Sequence, residues 1–171
     1  LLGADLPSDG KQKFTVTQSD SAGNESEAET GEVTIDANPP AKPDILSVTS
    51  DNIINATEKN IGVTVRGTSE PNATVEIKWG VVTRSVKALA NGTWSATFAT
   101  AQIPIDGASQ ITATATDAAG NTGAASDDVA ITVDTSAPAA AVITAPVDGA
   151  VTGDNTPTIS GTAEANSTVS V

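Results

Sequence analysis

The sequence predicts an all-β fold of short strands, and three observations carry that prediction. First, 16 Val and 12 Ile stand against 5 Leu, with 25 Thr beside them. β-Branched side chains of this kind suit a pleated surface and lose rotamer freedom in a helix. Second, apolar residues alternate with polar ones, so that one face of each stretch is apolar. Third, Gly, Asn and Asp punctuate these stretches at intervals of about 8 to 12 residues, the spacing of turns in a sandwich. Leu, Ile, Val and Phe total 35 of 171 residues, close to the ~20% below which highly charged chains are often disordered. The order of the apolar residues, rather than their amount, therefore argues for folding.

Taken in order over residues 37–134, alternation marks seven strands. Strand A covers Ile45 to Thr49. Strand B places Ile61, Val63 and Val65 inward, and strand C does so with Val75, Ile77 and Trp79. Gly80 supports a turn into C′, Val82 to Val86. Strand E carries Trp94, Ala96 and Phe98 after the Asn91-Gly92 turn, F carries Ile111, Ala113 and Ala115, and G carries Val129, Ile131 and Val133. Seven strands in this length predict an immunoglobulin-like sandwich. Trp94 is expected to anchor its core in place of a disulfide.

Internal repetition sets the domain boundaries. Leu6-Pro7-Ser8-Asp9-Gly10 matches Ile103-Pro104-Ile105-Asp106-Gly107, and Asp20-Ser21-Ala22-Gly23-Asn24 matches Asp117-Ala118-Ala119-Gly120-Asn121, both at a spacing of 97. Val33-Thr34-Ile35-Asp36 matches Ile131-Thr132-Val133-Asp134 at 98, and Gly67 to Val75 recurs as Gly161 to Val169 at 94. The expectation is tandem sandwich repeats of about 98 residues: the C-terminal part of one repeat in 1–36, a complete repeat in 37–134 and the N-terminal part of another in 135–171. The two partial repeats together cover most of one repeat. Head-to-tail self-association is therefore a further expectation, with the strands of 135–171 in one copy completing those of 1–36 in the next.

Charge and composition exclude much. Eight Lys and Arg against 21 Asp and Glu give a net charge of −13, so nucleic acid is not an expected partner. Cys, His, Met and Tyr are absent, which removes disulfides, thiolate nucleophiles and every triad that needs an imidazole. No apolar run approaches the ~18 residues of a membrane span, and insertion into a membrane is not expected. The expectation is a protein that is not an enzyme.

In a sandwich of this kind the B–C and F–G loops lie at the end where the chain enters. The B–C loop holds Ser69-Glu70-Pro71-Asn72 and the F–G loop opens Asp117-Ala118-Ala119-Gly120-Asn121, while Asp36 arrives just before the stiff Asn38-Pro39-Pro40 linker. Asp36, Glu70 and Asp117 thus converge, and gathered carboxylates repel unless a cation neutralises them. Calcium, which takes about 6 to 8 oxygen ligands, suits such a set, whereas zinc and copper want His or Cys. Asp and Asn are also ordinary turn formers in such loops, and that reading stays open beside the metal one.

Gly-Thr-Ser-Glu-Pro-Asn-Ala-Thr-Val at 67–75, Asn-Gly-Thr-Trp-Ser at 91–95, Ile-Pro-Ile-Asp-Gly at 103–107 and Thr-Asp-Ala-Ala-Gly-Asn at 116–121 resemble the bacterial Ig-like extender repeats of giant surface adhesins exported by type I secretion. The resemblance implies a calcium-stiffened spacer at the bacterial cell surface, projecting a distant adhesive domain in cell adhesion or biofilm formation. It implies calcium ligands at Glu70 and Asp117. At the next joint Asp134 and Glu164 match, and Asp20 and Asn24 match the F–G loop ligands, as Asn121 does within its own loop.

The competing function is a binding module whose sheet face near Trp79 stacks on a glycan or grips a protein, although alternation with Val75 and Ile77 favours a core Trp. Asp127-Asp128 reads as a solvated strand start rather than a ligand pair. Asn24, Asn55, Asn72, Asn91 and Asn166 each open an Asn-x-Ser/Thr triplet, read here as coincidence in a Thr-rich chain.

Overall fold

The structure, a computed structural model, describes residues 9–171. Leu6, Pro7 and Ser8 of the first repeat block lie outside the described residues. Contacts divide the chain into two compact units, one ending at Asp134 and one running Thr135–Val171.

The first unit opens with an antiparallel hairpin, β1 (Gly10–Val16) and β2 (Glu29–Ile35), in the register Gly10 to Ile35 through Val16 to Glu29. Two further sheets follow. β3 (Asp44–Ile45), β5 (Val63–Thr68) and β8 (Thr93–Phe98) form one of them in that order. The other runs β4 (Ile53–Ile54), β10 (Val129–Val133), β9 (Gly107–Thr116), β6 (Thr74–Trp79) and β7 (Val82–Lys87). All pairings are antiparallel except β4 with β10. This is an all-β immunoglobulin-like sandwich.

Its core follows from alternation. Val63 and Val65, then Val75, Ile77 and Trp79, then Trp94, Ala96 and Phe98, with Ile111, Ala113, Ile131 and Val133, are buried between the sheets. Trp79 and Phe98 meet edge to face, centroids 5.3 Å apart at 77°, a geometry the ring quadrupoles favour. Trp94 is buried as expected, with Trp79 deeper still. The glycan platform expected as the alternative is corrected here. Trp79 has no exposed surface, and its indole Nε1 donates to Ser109 Oγ at 2.9 Å.

Two other expectations are corrected. Strand A does not run from Ile45 to Thr49. Its pairing with β5 ends at Ile45, the chain bends through Asn52 at φ 57°, and Ile53–Ile54 joins the opposite sheet beside β10. Asp51 drives the bend, its Oδ1 accepting from Ile53 N at 3.0 Å. Ile61 does not point inward at the start of strand B. It ends a short helix, α1 (Ala56–Ile61), and is largely exposed. Asn55 caps that helix by accepting from Thr57 N and Glu58 N, and Glu58 Oε2 accepts in return from Asn55 N, a complete capping box. A single 3₁₀ turn, Thr100–Gln102, connects β8 toward β9.

In the second unit β11 (Val142–Ala145) pairs with β12 (Ser160–Thr162), with a register shift between Ile143 and Ala145. Its residues are exposed throughout apart from the half-buried Thr135. Among the described residues no helix is long and apolar enough to cross a membrane.

Candidate functional site

The linker after β2 and the loop between β9 and β10 meet along several residues. Asn121 Nδ2 donates to the backbone carbonyl of Asp36 at 2.9 Å and to Asp117 Oδ2 at 2.9 Å. Both partners are acceptors, which fixes the amide with its nitrogen toward them and its oxygen away. Pro40 is buried, and its carbonyl lies where a Cβ on Gly123 would come within 2.2 Å. Lys42 then pairs with Asp127, Nζ to Oδ2 at 2.7 Å. Its hydrogen bond to Asp127 raises the Lys42 pKa, with the Asp127 charge adding to it. Asp127, expected to be merely solvated, is thus an anchor for the linker.

Asp117 is held by its own loop. Oδ1 accepts from the backbone N–H of Ala119, Gly120 and Asn121 at 2.8, 2.8 and 2.9 Å. Local donors crowd onto one carboxylate because Gly120, at φ 98°, lets the chain curl back over it. The Asn121 side chain, followed by the backbone donors, lowers the Asp117 pKa against a desolvation penalty. Asp20 repeats the arrangement, Oδ1 accepting from Ala22 N and Asn24 N at 2.9 Å and Oδ2 from Asn24 Nδ2 at 2.8 Å. Its pKa is lowered chiefly by Asn24.

Other expected site residues occupy related places. Asp36 Oδ1 accepts from Asn38 N at 3.1 Å. Asp9, which sequence reading treated only as part of a repeat block, accepts from Ala37 N at 3.1 Å and from the Asn38 side chain. The linker is therefore gripped by Asp9 on one side and Asn121 on the other. Glu70 lines a shallow hollow with Ala41, Lys42 and Asp44. In the second unit the repeat-equivalent Glu164 accepts, through Oε2, from Ala139 N at 3.1 Å. Asp134 follows β10 and its N–H donates to Ile54 O at 2.9 Å.

The structure thus brings Asp36, Asp117 and Asn121 together. Among the described residues, no three His, Cys, Asp or Glu side chains form a group able to hold a metal. The expected convergence of the Asp36, Glu70 and Asp117 carboxylates is therefore not formed among the described residues, although each of these side chains, like Asn121, offers oxygen. That chemistry fits a hard cation that completes its shell with carbonyls and water, and does not fit zinc.

The two-sheet topology with its switched first strand defines an immunoglobulin-like domain. The chain belongs to the bacterial Ig-like domain family, which matches residues 44–135. A solved structure of a Ca2+-stabilized adhesin that helps an Antarctic bacterium reach out and bind ice is 32% identical, with a TM-score of 0.52 over 86% of this chain. This chain spans 38% of that structure's length. A bacterial immunoglobulin-like domain of the M. primoryensis ice-binding adhesin is 31% identical, covering 57% of this chain and 100% of its own, with a TM-score of 0.43. A comparison with curated proteins finds no match.

Proposed function

We propose that this chain is an extender segment of a large bacterial surface adhesin, a spacer of tandem Ig-like repeats that projects a distal adhesive domain from the cell surface in adhesion or biofilm formation. Its role is mechanical rather than catalytic. The observation that carries the reading is the seated linker: the Asp36 carbonyl on Asn121, Pro40 against Gly123 and Lys42 on Asp127. A spacer transmits length only if its links are held, and of the residues that make this hold Asp36, Pro40 and Asn121 recur between repeats, as Asp134, Pro138 and Asn24. The likeness to the Ca2+-stabilized adhesin supports the same reading.

Calcium is the proposed stiffening ion. Asp36, Glu70 and Asp117 would supply charge and Asn121 an amide oxygen at one joint, Asp134 and Glu164 would serve at the next, and Asp20 and Asn24 at the one before. In this reading the repeats are 1–36, 37–134 and 135–171, and the partners of each are its neighbours in the chain. Small-angle scattering of the 171-residue chain in calcium and in chelator tests it. The expected result is a longer maximum dimension in calcium, with magnesium substituting poorly. Calcium that binds only the folded state should also raise stability by about 1.5 to 2 kcal/mol at ~10 to 30 times Kd. Unchanged dimensions and melting in both buffers would overturn the calcium part.

A further inference from the structure

We infer that Asp9 and Asn121 are positioning residues that lock the joint by gripping one peptide group, the one between Asp36 and Ala37, from opposite sides. Its carbonyl accepts from Asn121 Nδ2 at 2.9 Å, and its N–H donates to Asp9 Oδ1 at 3.1 Å. Asp9 precedes β1, and Asn121 lies between β9 and β10. The hairpin and the sandwich therefore hold the two poles of a single plane. The lock takes its purpose from the spacer reading, but its bonds run entirely between groups of the chain.

The rest of the linker makes this peptide the one that matters. Pro39, Pro40 and Pro43 fix their own φ and push Asn38 and Lys42 toward extended backbone. Pro40 is buried and Lys42 is tied to Asp127. Between β2 and that stiff stretch, the joint swings chiefly through ψ of Asp36 and φ of Ala37. Because the peptide between them is planar, the Asp9 bond sets the plane relative to the hairpin and the Asn121 bond sets it relative to the sandwich. With both made, the two bodies share one fixed plane.

Each of these bonds is solvent-exposed and weak alone; their strength lies in being joined. The other Asn121 amide hydrogen goes to Asp117 Oδ2 at 2.9 Å, so a chain of hydrogen bonds runs from the Asp117 carboxylate through Asn121 and the peptide to the Asp9 carboxylate. Charged ends and polarised neighbours strengthen such a chain. The β1–β2 register ends at Gly10 and Ile35, which makes Asp9 and Asp36 the next pair out, and like charges so placed repel. Asn38 relieves both: its Nδ2 donates to Asp9 Oδ2 and its N–H to Asp36 Oδ1 at 3.1 Å. Asp9 and Asp36 recur in the sequence as Asp106 and Asp134.

Amide exchange of the 171-residue chain in chelator tests the lock. The Ala37 amide should be protected in the parent chain and exchange about tenfold faster in Asp9→Ala, which removes its acceptor. It should also exchange about tenfold faster in Asn121→Asp, although Asn121 makes no bond to that N–H, because the change sets an acceptor against the Asp36 carbonyl. Asp9→Ala, which lies outside the sandwich, should in turn speed exchange of the Asn121 side-chain amide. Bonds that share one plane fail together, so the double variant should fall well short of the roughly hundredfold acceleration that independent bonds predict. Asn24→Asp breaks the equivalent bond to Asp20 at the far end of the hairpin and should leave Ala37 unchanged, while unaltered exchange across β5, β6 and β9 shows each sandwich intact. An Ala37 amide unprotected in the parent chain, an Ala37 amide indifferent to Asn121→Asp, or roughly hundredfold acceleration in the double variant would overturn the lock. With chelator throughout, these outcomes do not depend on calcium, and a failed calcium scattering test would leave the lock standing.

Discussion

Asp117 and Asp20 hold two copies of one loop, and both carboxylates are lowered in pKa by the donors that surround them. The sign of the pH dependence follows. A depressed folded pKa contributes stability that is complete above the unfolded value, about 3.9, and is lost as pH falls through the folded value. The chain should therefore keep its melting temperature from neutrality down to about pH 4 and lose it below, and Asp117→Asn should shrink that acid-side loss. The two tryptophans allow a sharper comparison. Trp79→Ala should cost about 3 to 5 kcal/mol in a urea melt, as a large fully buried ring is removed. Trp94→Phe should cost about 1 kcal/mol less than Trp79→Phe, because only Trp79 loses a hydrogen bond that was made. At this scale much was legible beforehand, since alternation placed Val63 to Phe98 on the inner face. The direction of the Asn121 amide was not, because it depends on where the Asp36 carbonyl arrives from a distant part of the chain. Two of the five Asn-x-Ser/Thr asparagines have a conformational explanation: Asn72 and Asn166, equivalent by repeat, share φ values of 62° and 65°, where Asn is tolerated.

Strands with strict alternation, β5, β6, β8 and β10, were readable because each packs one face on the core and the other on water. The first strand was not, because its switch between sheets is made by a bend at Asp51 and Asn52 that leaves the apolar pattern intact. Nor was α1 foreseen, although Asn55-Ala56-Thr57-Glu58 is a capping-box sequence; its six residues are too few to show helical periodicity. Asn55→Ala should destabilise the fold by about 1 kcal/mol in thermal melts, the usual cost of a lost N-cap. The linker is the other element whose hold is local and testable. Gly123→Ala would put a Cβ 2.2 Å from the Pro40 carbonyl, so the linker must move. The expected outcome is faster amide exchange at Ala37 and Asn38, whose N–H groups donate to Asp9 and Asp36, with little change in exchange across β5, β6 and β9. Retained linker protection would show that Gly123 is not a seat.

Across the whole molecule, repetition lets one repeat report on the others. Ile111, Ala113 and Ile131 are at most 2% exposed, whereas their counterparts Phe14, Val16 and Val33 on β1 and β2 are about half exposed, at 51%, 58% and 48%. Val65, Val75 and Ile77 are fully buried, and their counterparts Ile159, Val169 and Val171 are exposed. Within the complete sandwich each of these faces is covered by the strands that the other partial repeat supplies. A face that is core in one repeat and solvent-exposed in another carries the hydrophobic drive of a core without its partner. We accordingly propose that the 171-residue chain associates head to tail as concentration rises, the face of β1 and β2 in one copy taking the strands of 135–171 from another. Such a heterologous contact does not close on itself and should give a ladder of species in sedimentation velocity rather than a discrete dimer. Val33→Asp should suppress the ladder without lowering the melting temperature of the central sandwich, because Val33 lies on the exposed hairpin face rather than in that sandwich. A concentration-independent monomer, or a ladder indifferent to Val33→Asp, would rule out this mode of association.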